Sequence, residues 1–179
     1  MAKHPNLPKH NPNATVSSVG ELLSLEGSVT EIVVDNVVCG MDLTELDLSR
    51  FSQLKRLEIG NHCFTRVKDW TIVGLRELEC VAIGTYCATQ ASGRFCVKNC
   101  PSLKELKIGR FSFEDYSVCV IENVDALEGI AIGDVNDWSN NFFFASLELK
   151  SVVVALAVMI RPSFSQIRRD WLERVSSVF

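Results

Sequence analysis

A seven-residue pattern that returns at a nearly constant interval constrains this chain more than any other feature. The pattern is L-x-x-Φ-x-I-G, where Φ is an aliphatic residue. It begins at Leu54, Leu78, Leu103 and Leu127, so successive copies lie 24, 25 and 24 residues apart. A period in this range is typical of solenoids, in which each repeat buries its apolar face by stacking on its neighbours. The chain is therefore predicted to fold as stacked copies of one unit.

Weaker copies extend the array at both ends. Val29 and Ala155 each begin the same spacing of apolar residues, but Asp35 and Arg161 stand in place of the glycine. Terminal repeats of a solenoid depart from the common pattern because one of their sides is not covered by another repeat. Together the copies predict about six coils, with atypical coils at the ends.

A second apolar pattern precedes each of the later copies, at 8, 6 and 3 positions before its first residue. Alternation with a period of two predicts β-strands with one buried face, and a coil of about 24 residues has room for two strands and two corners. The predicted fold is therefore a repeat solenoid, mainly β, with two parallel β-sheets and short capping helices at the ends. The second pattern consists of Leu46, Leu48, Phe51; Trp70, Ile72, Leu75; Phe95, Val97, Cys100; Cys119, Ile121, Val124; and Leu147, Leu149, Val152.

The glycine that closes each strong copy predicts a tight corner. Gly84 is an example, since it follows a strand pattern directly. A glycine is needed there either because φ is positive or because neighbouring backbone comes too close for a side chain. The sequence leaves both reasons open.

Changes in composition and period divide the chain into four parts. Residues 1–15 are rich in Pro, Asn, His and Lys, which predicts a mobile polar tail. Residues 16–28 form a predicted N-terminal cap, in which Ser18 and Glu21 have the spacing of a capping box. Residues 29–163 hold the solenoid. Residues 164–179 repeat apolar side chains every three or four positions, which predicts an amphipathic helix that caps the last coil or, alternatively, docks on a partner.

The repeat resembles the leucine-rich repeat over residues 29–164. The variant with I-G-x-x-C/S-F, a period of about 24 residues and a second F-x-V-x-N-C strand is similar to irregular leucine-rich repeat proteins of some single-celled eukaryotes, and more distantly to the bacterial surface-protein class. The chain departs from the usual pattern where His62, Tyr86 and Phe111 occupy the position of an inward Asn or Cys. The resemblance implies a curved solenoid that binds proteins and carries out no chemistry.

Residues that could support catalysis or metal binding lack the necessary companions. His62 lies beside a cysteine, but no second pair follows at zinc-site spacing. Cys96 and Cys100 are expected on opposite faces of their strand, and Asp134 and Asp137 are expected to form a solvated carboxylate pair in a loop. The sequence therefore predicts a protein that is not an enzyme and has no metal or cofactor.

Charge and hydropathy exclude several classes of partner. The net charge is -4, with acidic and basic residues interspersed, so nucleic acid is not an expected partner. The most apolar run, Val152 to Ile160, has nine residues, whereas a membrane helix needs about 20. The first residues do not resemble a signal peptide. Unless a longer parent chain carries its own targeting signal, a cytoplasmic protein without membrane insertion is predicted, in which the seven cysteines are reduced.

The outward residues of the L-x-x-Φ-x-I strands form the candidate partner-binding face. Towards the middle and the C-terminal end they become small or apolar, which is typical of a protein-binding patch. Alternatively, the small residues relieve crowding on a concave face, or another segment covers them. The strands of the second pattern carry more polar outward residues and are expected to be the less interactive side. The candidate face consists of Glu31, Val33, Arg56, Glu58, Cys80, Ala82, Glu105, Lys107, Ala131 and Met159. Gly129 and Ala157 are outward residues of the same strand pattern.

These observations predict a non-catalytic protein–protein interaction module that presents a parallel β-sheet face to a protein partner. The alternative is a structural or self-assembling unit that stacks on copies of itself through the open ends of the solenoid.

Overall fold

The structure is a computed structural model that describes most of the array. It covers residues 12–38, 40, 42–134 and 138–150, together with the backbone of residues 157–160 and 166–167.

The described elements are thirteen short strands and one helix. In chain order they are β1 (Asn13–Val16), α1 (Val19–Ser24), β2 (Glu31–Val34), β3 (Glu45–Asp47), β4 (Arg56–Ile59), β5 (Asp69–Val73), β6 (Cys80–Ile83), β7 (Arg94–Lys98), β8 (Glu105–Ile108), β9 (Val118–Glu122), β10 (Gly129–Ile132), β11 (Ser146–Lys150), β12 (Ala157–Ile160) and β13 (Gln166–Ile167).

The strands alternate between two parallel sheets. Sheet A has seven strands in the order β1-β2-β4-β6-β8-β10-β12, and sheet B has six in the order β13-β11-β9-β7-β5-β3. Each strand pairs with the equivalent strand of the next coil, so the predicted mainly-β solenoid with two parallel sheets is confirmed. Within the described residues the coils number about five rather than six, because the last repeat contributes only a two-residue strand, β13, to sheet B.

The core lies between the sheets. Inward residues of sheet A, such as Leu57 and Leu106, and of sheet B, such as Ile72 and Val97, are completely buried. Aromatic rings fill the middle of the core, where Trp70 packs edge-on against two phenylalanines. The indole Nε1 of this tryptophan is the one buried side-chain nitrogen or oxygen without a hydrogen-bond partner in the described part of the chain.

The glycine corners are explained by crowding at three positions and by positive φ at one. Gly133 has a φ of 80°, whereas Gly60, Gly84 and Gly109 do not have positive φ. A Cβ added to Gly84 would lie 2.6 Å from the carbonyl oxygen of Gly60, and one added to Gly109 would lie 2.7 Å from that of Gly84. These distances are too short for a side chain, so successive corners stack backbone on backbone.

A ladder of side chains holds each corner to the preceding coil. Three of the four donors lie one residue beyond the positions where the sequence lacks the usual inward Asn or Cys, and each of the four bonds to a backbone carbonyl one coil earlier. In this corner ladder, Cys63 Sγ donates to Asp35 at 3.1 Å, Cys87 Sγ to Gly60 at 3.2 Å, Ser112 Oγ to Gly84 at 2.7 Å, and Asn141 Nδ2 to Gly109 at 2.7 Å.

The N-terminal boundary differs from the prediction. Residues 13–15, assigned to the polar tail, form β1 together with Val16 and pair with β2. The carbonyl of Pro12 accepts hydrogen bonds from the N–H groups of Thr30 at 2.7 Å and Glu31 at 3.1 Å. The tail prediction is wrong here because the open edge of β2 supplies partners to a segment whose own sequence has little strand pattern. Residues 1–11 lie outside the described part of the chain.

The predicted N-terminal capping helix is present as α1. Ser18 Oγ accepts the hydrogen bond of the Glu21 N–H at 3.2 Å, and the Glu21 carboxylate accepts the Ser17 N–H at 2.7 Å. The helix stands between β1 and β2, where later coils carry a strand of sheet B. Arg50 fixes it to the array by donating to the carbonyls of Leu22 and Leu23.

The C-terminal helix prediction is wrong at residues 166–167, which pair with β11 as β13. The remaining residues of 164–179 lie outside the described part of the chain. Among the described residues, no helix is both long and apolar enough to cross a lipid bilayer.

Candidate protein-binding face

Strand pairing aligns the residues that alternate with the core positions of sheet A in two columns, in which Ala157 and Met159 are placed by backbone register alone. All ten residues of the predicted face fall into these columns. Asn13 and Thr15 extend them, and the sequence missed both because their strand lacks the repeat pattern. Column 1 contains Asn13, Glu31, Arg56, Cys80, Glu105, Gly129 and Ala157, and column 2 contains Thr15, Val33, Glu58, Ala82, Lys107, Ala131 and Met159.

Burial alternates along each strand of sheet A. In β6, Val81 is 0% and Ile83 is 4% exposed, while Cys80 and Ala82 are partly exposed. The same alternation holds in β2, β4, β8 and β10. None of the column residues whose side chains are described is buried. The face is therefore accessible along its described length.

Two ion pairs flank the centre of this face. Arg56 pairs with Glu58 on β4, and Lys107 pairs with Glu105 on β8 at 2.7 Å. The ammonium group of Lys107 lowers the pKa of the Glu105 carboxyl, and the Glu58 carboxylate raises the pKa of Arg56. Solvent screens these exposed pairs, so they contribute little to stability and remain available for a partner.

The two outward residues of the central strand β6 are uncharged, and β6 lies between the two strands that carry the ion pairs, β4 and β8. Its outward residues are Cys80 and Ala82, and burial raises the pKa of the Cys80 thiol. On β10, which lies next to β8, the outward positions are occupied by Gly129 and Ala131, which have no side chain or a very small one. A partner can therefore approach the sheet closely at β6 and β10, with charged side chains beside both places.

The outward face of sheet B is different. Cys96 and Val120 occupy outward positions at its centre but are only 7% and 3% exposed. Lys98 and Glu122, in the adjacent column, form an ion pair at 2.9 Å. The sequence predicts more polar outward residues on these strands, whereas Cys96 and Val120 are apolar and buried. Sheet B therefore offers less accessible apolar surface at its centre than sheet A.

An aromatic edge borders sheet A, which the sequence did not predict. His62 stacks on Tyr86 with ring centroids 5.0 Å apart, and Tyr86 stacks on Phe111 at 4.8 Å. All three residues have φ between 56° and 59°, which is uncommon for bulky residues. The only sequence signal was their recurrence at the corner, one coil apart.

The residues considered for chemistry do not assemble into a centre. His62 is exposed at the aromatic edge, and Cys96 and Cys100 are buried in sheet B and the corner after it. Within the described ranges, no three His, Cys, Asp or Glu residues are grouped so that they could hold a metal ion. Asp137 lies outside the described residues.

Neither protein-family models, nor curated proteins, nor solved structures show a match to this chain. The fold and the face define its class as a parallel two-sheet β-solenoid with one open, partly charged sheet surface.

Proposed function

We propose that this protein is a non-catalytic interaction module and that it binds a protein partner on the outer face of sheet A. The observation that carries the proposal is the alignment of accessible outward residues in two columns. Within these columns, the uncharged residues of β6 lie between the ion pairs of β4 and β8. Interaction surfaces combine a central region of low charge with a polar rim. The outward residues of β4, β6 and β8 have this arrangement, with β6 as the region of low charge.

The resemblance to leucine-rich repeats gains support from the corner ladder. Asn or Cys donors at a fixed place in each repeat are part of that family's usual pattern. Cys63 and Cys87 fill this role one residue later than expected, and Asn141 fills it in a later coil. We propose a leucine-rich-repeat-like solenoid, which favours protein binding over chemistry.

The end-stacking alternative has weaker support at the N-terminal end. There α1 takes the place of a sheet B strand and is held by Arg50. A helix in this position takes up the place next to β3 where a sheet B strand of a second copy would have to lie. End-to-end assembly stays a prediction for the C-terminal end.

Binding is tested with two variants that carry the same new charge on opposite faces. Ala82→Arg places a bulky cation at the centre of sheet A, and Thr71→Arg places one at an outward position of sheet B. A partner captured by the wild-type protein is purified, and its affinity is measured for all three forms. We expect at least about tenfold weaker binding for Ala82→Arg alone, because binding energy concentrates near the centre of an interface.

Equal affinities of both variants for the captured partner would contradict the use of sheet A. Circular dichroism and melting temperatures serve as the folding control, since both sites are partly exposed and both variants should fold.

A further inference from the structure

We infer that one partner of the sheet A face is a second copy of this chain, docked face to face about a two-fold axis that runs parallel to the strands through β6. This inference rests on the proposed use of the sheet A face and names its partner. It follows from how the charges and side-chain sizes are distributed over the two columns.

Sheet A has a natural centre for such an axis. β6 is the fourth of its seven strands, so rotation about β6 sets β4 against β8 of the second copy and β2 against β10. An interface with two-fold symmetry must be complementary to itself, because the same patch serves both copies.

The charged rows meet with opposite sign. Arg56 and Glu105 both lie in column 1, on β4 and β8, so rotation places the guanidinium of one copy opposite the carboxylate of the other. Glu58 and Lys107 do the same in column 2. Each ion pair within a strand is thus matched by a pair of reversed order two strands away, which gives four complementary contacts across the dimer.

The outer strands β2 and β10 complement one another in the size of their side chains. Glu31 and Val33 on β2 face Gly129 and Ala131 on β10, so larger side chains meet the strand with the smallest ones. A two-fold axis perpendicular to the strands also opposes unlike charges. It would, however, set Glu31 against Val33 and small residues against each other. Bulk would then meet bulk, which favours the axis along β6.

The size of the face predicts a weak, reversible dimer. Seven strands of four residues cover roughly 30 Å by 13 Å, or about 400 Å² per copy, from standard strand spacings. Stable complexes bury about 800 Å² per partner. Self-association should therefore be seen at high protein concentration and should weaken as salt screens the exposed charges.

The experiment exchanges the two charges of one strand. Glu105→Lys combined with Lys107→Glu reverses the order on β8 while keeping the net charge and the pair within the strand. The neighbouring column residues on both sides are uncharged, so the exchange adds no like-charge contact between column neighbours within a copy. Adding Arg56→Glu and Glu58→Arg reverses β4 as well and restores opposite charges across the axis.

Sedimentation from micromolar to millimolar concentration, at low and high salt, measures the outcome for the three proteins. We expect a monomer–dimer equilibrium for the wild type, at least about tenfold weaker association for the β8 exchange, and recovery to within about threefold for the double exchange, because opposed like charges are unfavourable. Melting temperatures check that all three are folded.

Three results would overturn the inference. A wild-type protein that is monomeric throughout excludes the second copy as partner, whereas the proposed function would be judged separately by the Ala82→Arg comparison. A dimer unaffected by the β8 exchange excludes this axis. Open-ended oligomers would indicate stacking through the solenoid ends.

Discussion

Gly60, Gly84 and Gly109 occupy the same corner in three consecutive coils. At the scale of the residue, the distances between a few atoms decide that only glycine fits there. Their backbones touch, so the requirement for glycine is steric. Positive φ falls instead on His62, Tyr86 and Phe111. The N–H groups of His62 and Tyr86 donate to carbonyls of the following coil at 2.8 and 3.0 Å, which offsets part of the conformational cost.

The contact at Gly84 predicts a large effect of one added methyl group. Gly84→Ala places a Cβ 2.6 Å from the Gly60 carbonyl oxygen, and the corner must move to admit it. Overpacking of this kind costs about 1–3 kcal/mol in the free energy of unfolding. Urea denaturation measures the loss.

Gly129→Ala is the matched control, because nothing lies within 4 Å of a Cβ added there. Equal denaturation midpoints for wild type and Gly84→Ala would show that the corner is looser than the structure indicates.

At the scale of elements, neighbouring coils are joined by more than strand pairing. The corner ladder connects each turn to the one before it, and its last member makes the most bonds. Asn141 Nδ2 donates to the carbonyls of Gly109 at 2.7 Å and Ser112 at 3.0 Å, while its Oδ1 accepts from Ser139 at 2.8 Å. Since Asn141 is 2% exposed, water does not readily replace these bonds.

Asn141→Ala should therefore destabilise the array by about 2–3 kcal/mol or more, because it leaves buried carbonyls without donors. Asn140→Ala removes the adjacent, less buried amide, whose described bond is to the Glu114 carboxylate at 3.2 Å. Thermal and urea unfolding of both variants compare the two sites. A loss for Asn140→Ala as large as that for Asn141→Ala would argue against the ladder as the stabilising feature.

At the scale of the whole molecule, the stability of a solenoid depends mainly on the contacts between neighbouring coils. Strand pairing joins each coil to the coils beside it, and some core contacts reach two coils away, as between Trp70 and Phe113 and from Tyr116 to the Val67 carbonyl. A local change should therefore weaken the nearest coils most and leave the distant ones nearly unaffected. The N-terminal end tests this property, because α1 is held by Arg50, whose guanidinium donates to Leu22 and Leu23 and lies 4.5 Å from the centre of the Phe51 ring.

Arg50→Ala should increase amide hydrogen exchange in α1, β1 and β2 and leave β6 to β9 nearly unchanged. Removing the guanidinium takes away one donor from each of the Leu22 and Leu23 carbonyls, near the end of the helix, and loosens the cap. Hydrogen-exchange mass spectrometry resolves the two regions. Arg76→Ala, at an exposed corner of a middle coil, is the matched control. A uniform rise in exchange along the array would show that the solenoid opens as a single cooperative unit.

The sequence alone determined the repeat, the positions of its strands and the two outward columns of sheet A. These features follow from the spacing of apolar residues along the chain, since a period of two fixes which side chains point out and a constant coil length fixes which ones become neighbours. Residues as far apart as Glu31 and Ala131 could therefore be assigned to one face before their strand pairing was known.

The tertiary structure alone decided how the corners close, where the array begins and which outward positions are buried. Cys87 and Ser112 become ladder donors because a carbonyl of the preceding coil lies within reach. Residues 13–16 become a strand because the edge of β2 is open to them. Such partners lie about one coil away along the chain, so they depend on three-dimensional contact, which the local pattern of apolar residues does not encode.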